Sequence, residues 1–439
     1  MADNNSGGVF NLFLGPKSSL CGSFYSTDFG ELSLFVDFQS DISRTYHHEK
    51  INEGDVLWDE KIDKIDISSG EKKDINPYSS HPDLHWSQLE DINERKVIEL
   101  PHCNNFETFH QGSQFFAERD LGELFEDKIR FQIEKCDVFS GFVSMYDANS
   151  GYSGLFAALM PLLDDAFGRK PKINFGVGTR QPSLFEVESS AVDSSCSFLQ
   201  YHNIKDVFKG IIGQETDYHC SALISFFLQQ VLRIPKRGTD LKDLATFLSP
   251  LSRNIFSSYL GLPFDDPDDR SISKLFSSKF LAANLKPLSL YTNKISLPLH
   301  CSYISSCGIS DISNNHQFFS ALSQLSSTDQ VFSSSTKYCY TPETLPVHVL
   351  SPQFYNDQIL SNGHLRAVHQ KVRSRPVTEI PVVAVLQNNQ DPVQLMEKVL
   401  SERVKVSENT DLLTAGVLDE DVADIRQSLH QLADNYTLT

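Results

Sequence analysis

The fold is decided by the stretch Gly141-Phe-Val-Ser-Met-Tyr146, Asp147-Ala-Asn-Ser-Gly-Tyr-Ser-Gly154, Leu155 to Phe167 and Ile173-Asn-Phe-Gly-Val177. Its first and last parts are short apolar runs of strand length, the second is rich in small turn residues, and the third has helical length. Two strands joined by one helix lie parallel in a right-handed crossover. This stretch therefore predicts an α/β protein with a Rossmann-like parallel sheet.

The small-residue loop falls at the carboxyl end of the predicted sheet, where the N-terminus of the following helix points its free N–H groups. Such an end attracts phosphate, so the loop is the first candidate for a nucleotide site. Its candidate residues are Asn149, Ser150, Gly151, Ser153 and Gly154. The spacing matches neither a Walker A loop nor a complete G-x-G-x-x-G fingerprint. The structural alternative is that small residues let the helix begin close under the strand.

A second strand-to-helix turn occurs near the start of the chain. Val9 to Leu14 is strand-like and runs into Gly15-Pro-Lys-Ser-Ser-Leu-Cys-Gly22, with a helix expected from about Ser18. In a parallel sheet this turn lies beside the loop at Asn149. Gly15, Ser18 and Gly22 therefore join the candidate nucleotide-binding residues.

Composition excludes several classes of protein. The chain has 439 residues, a formal net charge of −19 and 40% hydrophobic residues, which suits two or three globular domains. A charge of this sign disfavours nucleic acid and anionic membranes, so protein partners are expected. The eight cysteines form no C-x-x-C pair, which is typical of reduced thiols. Neither a leader peptide nor a membrane-spanning run is predicted.

Other catalytic and metal patterns are incomplete. His81 and His85 are four residues apart, but no Glu or further His completes a zinc site nearby. Gly151-Tyr-Ser-Gly154 has the wrong spacing for a nucleophile elbow. Cys220 follows His219, with no group to orient the imidazole. The sequence therefore predicts no catalytic residue and no metal.

Several further elements follow from periodicity. Helices are predicted over Asp120 to Cys136, Tyr218 to Ile234 and Leu241 to Leu260, the last interrupted at Pro250. A buried strand is expected at Ile380 to Leu386, and a helix starts at Asp391-Pro392. A mobile polar insertion is predicted after Phe38, and a polar loop followed by a short helix is predicted over Glu188 to Gly210. A domain boundary is expected at Asp265 to Arg270, with loops around short strands from Ser302 to Thr341. The C-terminal helix is expected to pack on its own domain.

The run Phe115-Phe-Ala-Glu-Arg-Asp-Leu-Gly-Glu-Leu-Phe-Glu-Asp-Lys-Ile-Arg-Phe-Gln-Ile-Glu-Lys-Cys-Asp137, continuing to Gly154, closely resembles the Misato family of tubulin-like proteins. Further similarity covers most of the chain. It is carried by Leu14 to Gly22, Asp55-Val-Leu57, Trp86-Ser87, His219-Cys-Ser-Ala-Leu223, Leu262-Pro-Phe264 and the helix from Asp421 to Tyr436.

This resemblance implies a tubulin/FtsZ-like fold. It implies a nucleotide-type domain over residues 1–235 with an insertion at about 39–95, a core helix region over 236–265, and an intermediate-like α+β domain with a C-terminal helix over 266–439. Tubulins wrap phosphates with a Gly-Gly-Gly-Thr-Gly-Ser-Gly loop. The loop here is about one residue shorter and carries Tyr152 near the tubulin threonine, so its backbone is hindered from approaching a phosphate.

The resemblance also implies a function: mitochondrial distribution and morphology and inheritance of mitochondrial DNA, without GTP hydrolysis. We expect no obligatory cofactor, protein partners at the mitochondrial surface or cytoskeleton, and a location on the cytosolic face of the outer membrane and in the cytoplasm. The alternatives are a GTP-binding, polymerising switch of the tubulin type and a cytoskeletal or chaperonin-linked assembly factor.

Overall fold

The computed structural model describes residues 8–24, 32–38, 86, 96–103, 105–192, 194–207, 217–233, 241–262, 285–289, 301–308, 335–341, 343–348, 351, 376–402, 404–408 and 410–437. The insertion apart from Trp86, the pair His81 and His85, and the boundary at Asp265 to Arg270 lie outside these ranges.

Six parallel strands form the first sheet, in the order β3-β2-β1-β4-β5-β6. Strand predictions at 9–14, 141–146 and 173–177 are confirmed. The strands are β1 (Gly8–Leu14), β2 (Ser33–Phe38), β3 (Val97–Leu100), β4 (Phe139–Asp147), β5 (Lys172–Gly178) and β6 (Ser195–Gln200).

Helices cover both faces of this sheet. Alternate side chains of each strand point to opposite faces, so both faces present apolar side chains that the helices bury. Phe13 and Met145 belong to one apolar cluster, whereas their strand neighbours Leu12 and Tyr146 belong to the other. The helices of this half are α1 (Pro16–Ser23), α2 (Phe109–Glu118), α3 (Leu121–Ile133), α4 (Gly151–Phe167), α5 (Leu184–Ala191), α6 (Tyr201–Val207) and α7 (Asp217–Leu232).

A second sheet of five strands lies beyond α7, in the order β10-β9-β13-β7-β8. Its pairs are antiparallel except β10 with β9. Helix α7 is the central helix, since it packs on α1 and on strands β9 and β13. The remaining elements are α8 (Leu241–Leu248), β7 (Ser257–Gly261), β8 (Lys286–Pro287), β9 (Cys301–Cys307), β10 (Ser335–Thr341), the short pair β11 (Leu345–Pro346) and β12 (Glu379–Ile380), β13 (Val382–Asn388), α9 (Asp391–Ser401), α10 (Thr410–Thr414) and α11 (Asp419–Thr437).

This is the architecture that the resemblance implied: a Rossmann-like parallel sheet, a central helix, a second sheet with its own helices, and a C-terminal helix. The helices predicted to begin at Asp120 and Asp391 are confirmed within a few residues, as is the strand β13. All eight cysteines are free thiols, as expected.

Two secondary-structure predictions are wrong. The helix predicted to reach Leu260 ends at Leu248, and Tyr259 lies on strand β7 opposite Val385. Pro250 begins a short 3-10 turn in which Leu251 has a positive φ, so the helix cannot continue. The polar region after Glu188 contains strand β6 where a loop was predicted. Its Ser197 hydroxyl is buried and bonds to Ser258 and Ser289, so a polar sequence is tolerated in the sheet interior.

Strand β6 also joins the two halves of the molecule. The Cys196 N–H donates to the Asn254 carbonyl (2.8 Å), and the Phe256 N–H donates to the Cys196 carbonyl (2.9 Å). Farther along, the Gln200 N–H donates to the Leu288 carbonyl (3.1 Å). Strand β6, at the edge of the first sheet, is therefore hydrogen-bonded to the segments that flank β7 and β8 of the second sheet.

Helix α11 packs on α9 and on α5, so the end of the chain returns to the first half. The Tyr436 hydroxyl is buried there; it accepts from the Ile255 N–H (2.7 Å) and donates to the Ile255 carbonyl. The C-terminal helix was expected to pack on its own domain; it packs on α9 of the second half and also on α5 of the first half.

Candidate functional site

The two predicted turns lie side by side, because β1 and β4 are adjacent parallel strands whose carboxyl ends share one edge of the sheet. Asp147 ends β4, and its carboxylate reaches the first turn of α1. It accepts from the Lys17 N–H (3.0 Å), the Ser18 N–H (2.7 Å) and the Ser18 hydroxyl (2.5 Å). The N-terminus of α1 therefore already holds an anion, supplied by the chain itself.

Burial of Asp147 changes its acidity. Loss of hydration raises the pKa of this carboxyl from 3.8 to about 6, although the Lys17 charge and the hydrogen bonds from Lys17 and Ser18 oppose the rise. A phosphate could use the same N–H groups only after this carboxylate moved away.

Gly15 is required where it stands. Its φ is +101°, which L side chains rarely adopt. A Cβ at this position would lie 2.7 Å from Asp147 Cγ and 2.9 Å from Tyr152 Cδ2. The glycine therefore serves close packing of the chain's own side chains at this junction.

The second turn is shorter than predicted, because α4 begins at Gly151 and not at Leu155. Ser150 is its N-cap: the Ser150 hydroxyl accepts from the Tyr152 N–H (3.3 Å) and donates to the Asp147 carbonyl (2.7 Å). The Ser153 hydroxyl donates to the Ser150 carbonyl (2.6 Å). The Gly151 N–H donates to the Phe106 carbonyl (2.9 Å). Four of the predicted loop residues thus form the N-cap and first turn of a helix.

Asn149 is held by the neighbouring β5–α5 segment. Its backbone is left-handed, with φ +66°, and its N–H donates to the buried Glu186 carboxylate (2.5 Å). The Asn149 side chain donates to the Gln181 carbonyl (3.0 Å) and accepts from the Arg180 N–H (3.1 Å). A second internal carboxylate therefore takes the donor at this turn.

The glycines of α4 contact helix α2. A Cβ on Gly154 would lie 1.7 Å from the Phe109 carbonyl oxygen, and one on Gly112 would lie 1.6 Å from the Gly151 carbonyl oxygen. These distances allow no side chain, so α2 lies directly against the start of α4. Gly22 lies two turns along α1, where a Cβ would meet the rings of Phe13 and Phe35 at 2.9 and 2.8 Å. It packs the helix on the sheet, away from the turn.

Tyr152 fills the space between the two turns. Its hydroxyl donates to Asp37 Oδ1 (2.6 Å), and Trp86 Nε1 donates to the other oxygen of the same buried carboxyl group (2.8 Å). The Tyr152 ring also packs edge-to-face on Phe38 and Phe106, with centroids 5.9 and 5.0 Å apart.

Of the eight candidate residues, seven meet at this junction: Gly15, Ser18, Asn149, Ser150, Gly151, Ser153 and Gly154. Sequence reasoning missed the acceptors Asp147, Glu186 and Asp37 as members of the site. A usable signal existed for Asp147, since an acid at the end of a central parallel strand lies beside the neighbouring helix N-terminus. A usable sequence signal also existed for Glu186, because Ser183 and Glu186 have the spacing of a capping box.

The arrangement of the described residues does not support the catalytic and metal-binding alternatives. Within the ranges given above, no group of three or more His, Cys, Asp or Glu side chains could hold a metal ion. His219 and Cys220 are buried in α7, and burial lowers the pKa of His219 to about 4. Across the same part of the chain, no helix combines the length and apolar character that a bilayer span requires.

Comparison with known proteins finds relatives of low identity that cover most of the chain. No protein-family model matches the chain. It is 21% identical over 447 residues to protein misato homolog 1 of Mus musculus, which covers 88% of this chain and 77% of the relative. The same protein of Macaca fascicularis is 22% identical over 385 residues, covering 76% of this chain and 66% of the relative. Protein misato of Drosophila melanogaster is 23% identical over 198 residues.

The matches to the macaque and human relatives span slightly less than two thirds of those proteins, at 66% each. They nevertheless cover 76% of the present chain. Together with the α/β architecture described above, these matches at 21–22% identity support the resemblance to the Misato family.

Proposed function

We propose that this chain is a non-enzymatic, tubulin-like protein whose former nucleotide junction now holds the fold together. The proposed role is in mitochondrial distribution and morphology and in inheritance of mitochondrial DNA, which the family resemblance implies. The protein acts by binding other proteins, with no obligatory cofactor.

One observation carries the non-enzymatic part. The backbone donors at both turns are bonded to groups of the chain itself: Lys17 and Ser18 to the Asp147 carboxylate, and Asn149 to the Glu186 carboxylate. Two internal carboxylates at the positions that attract phosphate oppose the entry of another anion, by occupancy and by charge.

An equilibrium titration with a fluorescent GTP analogue tests this proposal. The purified chain is expected to carry no stoichiometric guanine nucleotide after denaturation and chromatography, to bind the analogue weakly at most, and to hydrolyse no GTP. In Asp147→Ala the Lys17 and Ser18 N–H groups are vacated, so any residual binding should strengthen. Asp127→Ala, which removes an exposed carboxylate of α3, should not change it.

A GTP-dependent polymerising switch is the second candidate. It is favoured by the convergence of two helix N-termini, those of α1 and α4, at one edge of the parallel sheet. Stoichiometric nucleotide in the purified protein, GTP-dependent sedimentation, or a hydrolysis rate lost in Gly151→Asp would establish this function and refute the non-enzymatic one.

The mitochondrial role is tested in cells and on isolated organelles. We expect the protein on the cytosolic face of the outer membrane, held by a protein receptor, because its net charge of −19 opposes adsorption to an anionic leaflet. Added protease should degrade it without rupture of the membrane, carbonate should release it, and its depletion should fragment or misdistribute mitochondria. Protection from protease in intact organelles would contradict this location.

A further inference from the structure

The turn between α10 and α11 has a fixed shape. The Gly416 N–H donates to the Leu413 carbonyl (3.1 Å), the Val417 N–H donates to the Leu412 carbonyl (3.0 Å), and Gly416 has φ +71°. This is the Schellman arrangement, in which a left-handed glycine ends a helix and satisfies its last carbonyls.

This geometry separates two kinds of apolar side chain. Leu412 and Val422 are buried, and Val417 packs against the same core, as the motif requires. Leu413 and Leu418 point to solvent and are 55% and 61% exposed. Leu412, Val417 and Val422 supply the apolar packing of the turn, so Leu413 and Leu418 are not required for that packing.

The turn is also anchored at both ends. Gln114 of α2 donates to the Thr414 carbonyl (2.9 Å), and the Asp421 carboxylate accepts from the Leu418 N–H (2.7 Å). Binding of a partner to the two leucines would therefore cost little conformational entropy, because this backbone is already ordered.

The surroundings of the two leucines are acidic. Residues 405–425 contain six acidic side chains and one basic side chain, that of the exposed Lys405 at the start of this range, and Asp419, Glu420 and Asp424 are exposed. The cation that follows in sequence, Arg426, donates to the carbonyls of Leu400 and Glu402 and is thereby drawn toward α9. Helix α2, on which α10 packs, contains no Lys or Arg.

We propose that residues 410–424, here called the leucine turn, are a docking surface for a basic amphipathic helix of a protein partner. The two exposed leucines receive the apolar face of that helix, and the surrounding carboxylates pair with its Lys and Arg side chains. The inference gives a location to the protein-binding role proposed above, but its test requires neither mitochondria nor nucleotide.

The test uses a fluorescent helical peptide of about 18 residues, with Leu at i, i+3, i+4 and i+7 and Arg or Lys elsewhere. Its anisotropy is titrated with the full chain at low and at moderate salt, beside a scrambled peptide of the same composition. We expect the amphipathic peptide to bind more tightly than the scrambled one. Leu413→Ser/Leu418→Ser should weaken binding by about tenfold or more, and Asp419→Lys/Glu420→Lys should weaken it and reduce its salt dependence.

Matched variants separate a site from general attraction to an acidic protein. Leu251→Ser removes an exposed leucine near Asn435, about 24 Å along α11 from the leucine turn. Glu123→Lys/Asp127→Lys makes the same charge change on α3. Both should leave the affinity unchanged, and thermal melting should show all variants folded.

Equal affinity for the scrambled peptide, equal binding by the double leucine variant, or no binding by the wild-type chain would each overturn the proposal. If sedimentation instead shows a dimer that dissociates in Leu413→Ser/Leu418→Ser, the occupant is a second copy of the chain and the basic-helix proposal is wrong.

Discussion

At the scale of single residues, Asp147 has two opposing effects on the fold. Its hydrogen bonds to Lys17 and Ser18 tie α1 to β4, while its burial penalises the charged form and raises the pKa to about 6. Because the folded pKa is above the unfolded value of 3.8, this group contributes stability below about pH 4 that is lost as the pH rises through 6.

Asp147→Asn should therefore become more stable relative to wild type as the pH rises from about 4 to about 7. The Asn side chain resembles the protonated acid, so the change in relative free energy of unfolding is expected to be at most about 3 kcal/mol, from a shift of roughly two pKa units. Urea unfolding of both proteins across this pH range measures it. A difference that is constant with pH would show that Asp147 does not titrate in this way.

At the scale of elements, the contact between α2 and α4 depends on missing side chains. Gly112 and Gly154 face backbone atoms of the opposite helix at distances that a Cβ cannot occupy. Backbone cannot move aside as the end of a flexible side chain can, so substitution must separate the helices. Separation would also stretch the hydrogen bond from the Gly151 N–H to the Phe106 carbonyl.

Gly154→Ala should consequently destabilise the fold by about 1–3 kcal/mol, and Gly154→Val by more, although Ala is the better helix former. Gly122→Ala on α3 is the matched control, because its Cβ would meet only the flexible end of Leu162 at 2.9 Å. The control should be neutral or stabilising. Melting temperatures compare the three variants, and an unchanged value in Gly154→Ala would refute the close contact.

At the scale of the whole molecule, the two sheets are connected by hydrogen bonds and by shared apolar clusters. Strand β6 is hydrogen-bonded to segments at 254–256 and 288, and both apolar clusters include residues from the two halves of the chain. The Tyr436 hydroxyl satisfies both backbone groups of Ile255 on the side away from Cys196. The end of the chain is thus needed to complete the junction of the two sheets.

We expect one cooperative unfolding transition, and we expect Tyr436→Phe to lower its midpoint. The variant leaves a buried N–H and a buried carbonyl without their partner, at a cost of roughly 1–3 kcal/mol for each group. Calorimetry with parallel far-UV and fluorescence detection measures both expectations. Two resolved transitions, with only one shifted by Tyr436→Phe, would indicate independent domains.

The sequence alone determined the regular secondary structure around the central crossover of this protein. Strand β4, the following helix and strand β5 were predictable because apolar runs of strand length and helical periodicity depend on neighbours in the chain. The resemblance to the Misato family was recognisable for the same reason, since the run from Phe115 to Gly154 that carries it is local. The positions of Gly15 and Asn149 at the turns also followed from the parallel crossover.

Only the tertiary structure decided what those turns hold. Asp147 with Ser18 and Tyr152 with Asp37 are separated by more than a hundred residues in the chain, so no local pattern connects them. Strand β6 was hidden for a related reason: the buried hydroxyl of its Ser197 finds its partners, Ser258 and Ser289, in distant segments. Local sequence sets backbone propensity, whereas the pairing of buried polar groups depends on contacts that exist only after the chain has folded.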